Sequence, residues 1–356
     1  MNHRPYHSLE GHRWIKLILG ASFQNLPAAE HLALVWSLAQ VDCIDLCADP
    51  AVIQAVERGF TQAEMWCRQR ATPWQRPWVM VSLNDGEDPH FRKAYFPSVQ
   101  CPRDCPRPCA QICPADAIDS RGVSPSLCYG CGRCAPVCPL GIIDFQAVSL
   151  RPQEVGSLLA EAPIDALEIH TQVGHGEGFR RLWQGIAPLV NRLKLVSISF
   201  PDAPGLRDYL QELAAFLAGS ALQTTAKNYI IWQTDGIPMS GDLGVNSAKA
   251  SIRLAEKVLS WNLPGYVQLA GGTNHTSLSL AQDRALAIAG IAYGSYARQR
   301  VQEVLLQPIH PFEQPRDRTL PEATLQRAVA VARSLVNPLK SSQEITSYGE
   351  LNSPVP

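Results

Sequence analysis

The sequence predicts a (β/α)8 TIM-like barrel with a two-cluster ferredoxin-like module inserted after the third strand; a doubly wound α/β sheet beside a ferredoxin domain is the competing architecture. Three observations point there. Short β-branched runs alternate with stretches of helical spacing, the pattern of βαβ units and parallel pairing. Eight such runs occur. The rhythm breaks once, and the break holds eight of the chain's 11 cysteines.

The first run, Lys16–Ser22, leads to a helix over 28–40. Asp42–Cys47 follows, with a helix from Pro50 to Gly59, and then Trp78–Leu83. After the break, a helix over 152–161 restores the rhythm and leads to Asp165–His170. Helix 179–192 leads to Lys194–Phe200, and helix 206–217 to Asn228–Thr234. Helix 248–260 leads to Gly265–Ala270, and a shorter one over 277–285 to Ala289–Tyr293. Pro321–Leu339 reads as a surface helix, and Lys340–Pro356 as a disordered tail. The expected division is therefore barrel units over 14–98 and 146–307, an iron–sulfur insertion over 99–145, a helical extension over 308–339 and a tail over 340–356.

Composition is that of an ordinary core-forming chain of 356 residues, 46% hydrophobic and 18% charged. A net charge of −1 points to no nucleic acid and no anionic membrane surface as a bulk partner. No apolar run reaches the length of a membrane span, and 1–13 is polar and His-rich, without the layout of a signal peptide. The expected location is the cytoplasm, where thiols stay reduced and clustered cysteines point to metal.

Cys128-x2-Cys131-x2-Cys134-x3-Cys138-Pro139 is the bacterial ferredoxin run without deviation. Two-residue gaps let a loop curl around a cubane and present three thiolates, while the fourth cysteine is aimed at a second cluster. Gly130 and Gly132 remove side chains where backbone must come close to sulfide. Zinc is the rival metal, but its sites usually come as separated Cys-x2-Cys pairs. The partner half, Cys101-x3-Cys105-x3-Cys109-x3-Cys113-Pro114, has two gaps one residue wider. Pro102, Pro106 and Pro108 forbid a helix there, so it is a loop. Crossed ligation groups Cys113 with Cys128, Cys131 and Cys134 around a 4Fe–4S cluster. It groups Cys138 with Cys101, Cys105 and Cys109, where a misplaced thiolate would favour 3Fe–4S over 4Fe–4S. Cys43, Cys47 and Cys67 read as small buried hydrophobes; Cys43 and Cys47, about 13 Å apart along a strand, cannot share an ion.

An insertion after strand three emerges on the C-terminal face of a barrel, where barrel enzymes place active sites. The other loops there carry Asn84, Asp85, His170, Thr171, Asp202, Asp235, Asn274, His275 and Tyr296. Gly271, Gly272, Thr273, Gly294 and Ser295 occupy the customary phosphate-binding loops and form a candidate anion site. His175, in a Gly-rich loop, reads either as a ligand contact or as solvated. Trp36, Trp74 and Trp78 read as core. No catalytic set stands out by spacing.

The run Cys-Pro-Arg-Asp-Cys-Pro-Arg-Pro-Cys109, the following Cys-Pro-Ala-Asp-Ala-Ile118 and the long C-terminal α/β region resemble the light-dependent period (LdpA) family of cyanobacteria. The resemblance implies an iron–sulfur redox sensor that reports light-dependent cellular redox state to the circadian clock input and associates with clock proteins. On that reading the chain is a redox sensor or electron-transfer protein rather than an enzyme. The alternative is an oxidoreductase whose clusters feed electrons to a flavin or small substrate at the barrel mouth. A brown protein without flavin bands favours the sensor; flavin absorption favours the enzyme.

Overall fold

The computed structural model describes residues 4–147, 152–190, 192–220, 229–237, 244–306 and 320–341. Eight parallel strands close into a barrel: β1 Trp14–Gly20, β2 Cys43–Cys47, β3 Trp78–Asn84, β4 Ala166–His170, β5 Leu195–Phe200, β6 Tyr229–Asp235, β7 Tyr266–Ala270 and β8 Gly290–Tyr293. Each pairs with its neighbours in sequence, and β8 pairs with β1 through Trp14↔Gly290 to Leu17↔Tyr293. The competing open sheet is excluded by that last pairing.

The outward strand faces pack on helices α2 Leu26–Leu38, α3 Pro50–Gln69, α4 Pro152–Glu161, α5 Gly176–Val190, α6 Leu206–Ala218, α7 Ala248–Ser260, α8 Ser277–Asp283 and α9 Ser295–Leu305. The helix α3 runs on to Gln69 instead of ending at Gly59. Gly59 is no terminator but a contact point: a Cβ there would lie 2.4 Å from the Glu30 carbonyl oxygen of α2. The helix Glu322–Lys340 (α10) is not a free surface element, because Leu325, Ala328, Val329, Ala332, Leu335, Val336 and Leu339 are buried against the barrel's outer layer. Residues 308–319, most of the tail and Asn228 lie outside the described residues.

Residues 4–10 form a helix, here α1, that plugs the N-terminal end of the barrel. Leu9 is fully buried, and the Tyr6 ring lies 4.7 Å from Trp78 and 4.8 Å from Tyr229. Below the barrel's midpoint the interior is apolar, filled by Trp14, Cys43, Trp78, Met80, Ala166, Leu195 and Ile231. Above it, the same inward strand positions carry Lys16, Asp45, Ser82, Glu168, Ser197, Gln233 and Gln268, all buried. Barrel interiors are usually packed with branched aliphatic residues, so this polar layer needs a separate account.

The segment between β3 and α4 rises from the C-terminal face. Its stem is an antiparallel ribbon, Arg92–Tyr95 against Asp144–Ala147, and it carries a small hairpin, Ile118–Asp119 with Gly122–Val123. Its own core gathers Ala94, Phe96, Ala117 and Ile118 with the cysteines.

Candidate iron–sulfur and barrel-mouth sites

The eight motif cysteines fall into two small recesses. Cys113, Cys128, Cys131 and Cys134 line one; Cys101, Cys105, Cys109 and Cys138 line the other. Chain folding therefore sorts the thiols three-plus-one twice, the crossed arrangement. The wider gaps of the first half expel no cysteine: the short helical turn Pro108–Gln111, entered through Arg107 in the left-handed region (φ 49°), carries Cys109 back into the recess.

The surroundings suit a sulfide-rich cluster. The amide of Ala94 donates to Cys128 Sγ at 3.3 Å, and that of Ala117 to Cys113 Sγ at 3.3 Å. Burial opposes ionisation of Cys138, yet the amides of Ile142, Leu140, Gly141 and Ile143 hold its thiol below the usual value. Gly130 has φ +74°, and a Cβ on it would lie 2.2 Å from the Arg92 carbonyl oxygen, so glycine alone lets the loop dock on the stem. Burial, with the adjacent Cys131 and Cys128 thiols, pushes Cys134 up to about 11. Burial raises Cys131 as well, so these two thiols resist losing protons without cations beside them, and iron supplies those cations. The donor sets thus fit iron–sulfur clusters. Cys43, Cys47 and Cys67 are buried away from both recesses; Cys47 donates to the Phe23 carbonyl oxygen at 3.1 Å.

Tyr129, between two cluster cysteines, links the module to the barrel. It lines a small cavity at the barrel mouth together with Asp45, His90, Glu168, His170, Gln233, Asp235 and Arg298. Arg298 lies with Cζ 5.2 Å from the Tyr129 ring centroid and 5.5 Å from that of Phe23, and donates to the carbonyls of Leu19 and, at 3.1 Å, Ile18. One guanidinium therefore joins the end of β1, the last barrel helix and the cluster loop.

All five residues of the expected anion site, Gly271, Gly272, Thr273, Gly294 and Ser295, line this same cavity. Thr273 Oγ1 donates to the Ala292 carbonyl oxygen at 2.6 Å, so its hydroxyl proton serves the barrel rim. Gly271, at φ +63°, makes room for Asp235: a Cβ would lie 1.8 Å from Asp235 Oδ1. Asp202 pairs outside with Lys257 at 2.5 Å, and His275 with the Tyr296 hydroxyl at 2.8 Å. His175 is not solvated: Asp85 Oδ1 and Gln172 Nε2 lie 2.8 Å from its two ring nitrogens.

Most of the polar layer beneath the cavity forms one network, with Asp45 and Ser82 paired beside it. Trp14 Nε1 donates to Gln268 Oε1 at 2.6 Å, Gln268 Nε2 to Gln233 Oε1 at 2.5 Å, and Gln233 Nε2 to Glu168 Oε1 at 2.7 Å. Lys16 Nζ donates to Glu168 Oε2, and His170 Nε2 lies 3.1 Å from Glu168 Oε1. Burial works against ionised Glu168, but Lys16 and His170 outweigh it and hold the carboxyl well below its usual range. Burial likewise opposes charged His170, and Asp88 and Glu168 overcome it, raising that histidine well above its usual value. Asp45, squeezed by burial and by Glu168 despite Lys16 and a 2.7 Å bond from Ser82, is raised to about 7.

Sequence reasoning named His170 and Asp235 and missed Lys16, Asp45, Asp88, His90, Glu168, Gln233, Gln268 and Arg298. For Lys16, Asp45, Glu168, Gln233 and Gln268 the sequence carries a trace, one charged or amide residue at the middle inward position of a largely apolar strand, in β1, β2, β4, β6 and β7; Asp88, His90 and Arg298 lie outside those strands.

Residues 101–149 match the model of the LdpA Fe-S cluster-binding domain, and 158–338 that of the Light dependent period A C-terminal domain. "Light dependent period A" of Synechococcus elongatus is 46% identical over 345 residues, covering 95% of this chain and 94% of that protein. Among solved structures, Mycobacterium tuberculosis tryptophan synthase (TM-score 0.42, 11% identity, 96% of this chain and 100% of that one) and the YdjI aldolase of Escherichia coli K12 (TM-score 0.43, 10% identity, 94% of each) are distant likenesses. Two domain models in chain order and identity sustained across nearly the whole length place the chain in the light dependent period A family.

Proposed function

We propose that this chain is an iron–sulfur redox sensor of the cytoplasm that passes the light-dependent redox state of the cell to clock proteins on the input side of the circadian clock. The carrying observation is the position of the cysteine module: its loop residue Tyr129 sits on Arg298 at the barrel mouth, so the cluster loop and the barrel share one cavity. The relative's name, which ties a period to light, supports the biological setting. No helix among the described residues is long and apolar enough to cross a membrane.

In this reading 99–145 is the redox module and 14–98 with 146–307 its barrel. Cys113, Cys128, Cys131 and Cys134 hold a 4Fe–4S cluster. Cys101, Cys105, Cys109 and Cys138 hold a second, which loses an iron to 3Fe–4S more readily, because only Cys109 of that set is buried. The clusters supply one-electron chemistry. The chain's own residues fix the thiolates, shield them with amides and present the change of charge to Arg298. Gly271, Gly272, Thr273, Gly294 and Ser295 would receive a small anion at the same mouth.

The test is anaerobic purification with iron, sulfide and flavin analysis. Seven or eight irons per chain with matching sulfide are expected, since the first cluster holds four and the second three or four. One zinc without sulfide would refute the assignment. The polar barrel interior favours a second reading, an oxidoreductase acting on a small molecule at the mouth; bound flavin in the purified protein would select it.

A further inference from the structure

We propose that Asp88, His90 and His170 form a mononuclear site for a divalent first-row transition metal, zinc or iron(II), at the barrel mouth and separate from the cysteine recesses. The donor atoms these three residues offer all lie within 4.8 Å of one another. His90 Nδ1 is 2.8 Å from Asp88 Oδ1, and His170 Nδ1 is 3.6 Å from Asp88 Oδ2. Donors about 2.1 Å from a shared ion stand about 3.0–3.4 Å apart at octahedral or tetrahedral angles, so the widest of these separations must close by up to about 1.4 Å for all three to hold one ion. Two imidazoles and one carboxylate suit such ions and leave further coordination positions open.

Each ring is also backed on its far side. Metal-bound histidines usually give their other nitrogen to a carboxylate, which fixes ring orientation. Both histidines here have that partner: His170 Nε2 lies 3.1 Å from Glu168 Oε1, and His90 Nε2 lies 3.4 Å from Asp235 Oδ2. Glu168 is anchored in turn by Lys16 and Gln233. Both Nδ1 atoms therefore face one carboxylate while both Nε2 atoms rest on others. Asp88 also accepts from the His90 amide at 2.7 Å, holding the turn Pro89–Phe91 in place. Capping accounts for the His90 contact, and charge pairing with Asp88 and Glu168 holds His170 at the end of β4; an ion at their meeting point would take the place of the ring protons between these same groups. The rings stand 4.8 Å apart, centroid to centroid, and both line the cavity, where a small ligand would reach the ion.

This inference needs neither the sensor reading nor an anion at the rim. Its test uses full-length protein with intact clusters, stripped of loosely held metal by a weak chelator. Calorimetric titration with zinc(II), and anaerobically with iron(II), should find one saturable equivalent per chain. Asp88→Asn and His90→Gln should abolish it while cluster absorbance stays unchanged; Asp235→Asn should weaken it 10–100-fold. Zinc-edge X-ray absorption on loaded wild-type protein provides a readout independent of how the variants fold. A nitrogen/oxygen shell at about 2.0–2.1 Å is expected. No saturable binding, equal binding by cluster-intact variants, or a sulfur shell at about 2.3 Å would each overturn the proposal.

Discussion

At the scale of single residues, the barrel interior depends on where protons and charges rest. Asp45 is the sharpest case. Unfolded, it titrates near 3.8; folded, near 7, because burial and Glu168 disfavour its charge. Between those values the folded chain holds a proton that the unfolded chain has lost. Its stabilising effect is therefore complete below about pH 4 and drains away as pH rises toward 7, by about 1.4 kcal/mol per unit of separation. Asp45→Asn keeps an acceptor for Ser82 and removes the titration. Urea midpoints measured between pH 5.5 and 8 should fall with pH in the wild type more than in the variant; parallel curves would show Asp45 already ionised beside Lys16. Gly271 is a second such point. Gly271→Ala combines a left-handed φ with a clash on Asp235, and should lower stability by about 1–3 kcal/mol, read from the same unfolding curves.

At the scale of elements, the ribbon that carries the module also sets its electrostatics. Lys93, buried on the stem, donates to Gln24 Oε1 at 2.7 Å and to the Pro125 carbonyl, and its charge reaches Cys128. A fixed cation favours the more negative, reduced cluster. Lys93→Met should lower the potential of the centre bound by Cys128, by an amount on the order of tens of mV, and leave the other centre nearly unmoved. Potentiometric titration followed by electron paramagnetic resonance measures both. The strands and cysteine spacings behind these elements were legible in the sequence, because β-branched apolar runs and ferredoxin gaps are local signals. The stem was not: Arg92–Tyr95 and Asp144–Ala147 are short, mixed in polarity, and meet only through long-range pairing. The plug Arg4–Glu10 hid for a similar reason, with Tyr6 and Leu9 too few to show a helical period. Gly59 misled because a glycine that lets two helices touch looks, in sequence, like one that ends a helix. The polar layer was visible as Lys16, Asp45, Glu168, Gln233 and Gln268, but its meaning depends on all five facing one axis, which only closure of the barrel establishes.

At the scale of the molecule, two units with different chemistry share one surface, and the contact between them is what a redox signal would cross. Crossed ligation is testable first: Cys138→Ser should disturb the same spectroscopic centre as Cys105→Ser, and Cys113→Ser the same centre as Cys131→Ser. If Cys138 and Cys131 report on one centre, the sorting of thiols between the two recesses is wrong. The transmission step follows from charge. Reduction adds one negative charge behind Tyr129, and a unit charge about 10 Å away acts on a guanidinium with about 1.7 kcal/mol at an effective dielectric of 20. That is enough to shift a local opening equilibrium more than tenfold. Arg298 is the group placed to feel it, since it spans Tyr129, Phe23 and the carbonyls ending β1. On the proposed sensor reading, reduction would strengthen its attraction to the cluster loop and loosen its hold on β1. Amide exchange at residues 18–23 should therefore rise on anaerobic reduction with dithionite, while the distant plug at 4–10 stays unchanged. Arg298→Gln should abolish the difference between redox states. An exchange pattern that is the same in oxidised and reduced protein would remove Arg298 as the relay and leave the module's own exposed face as the surface that partners read.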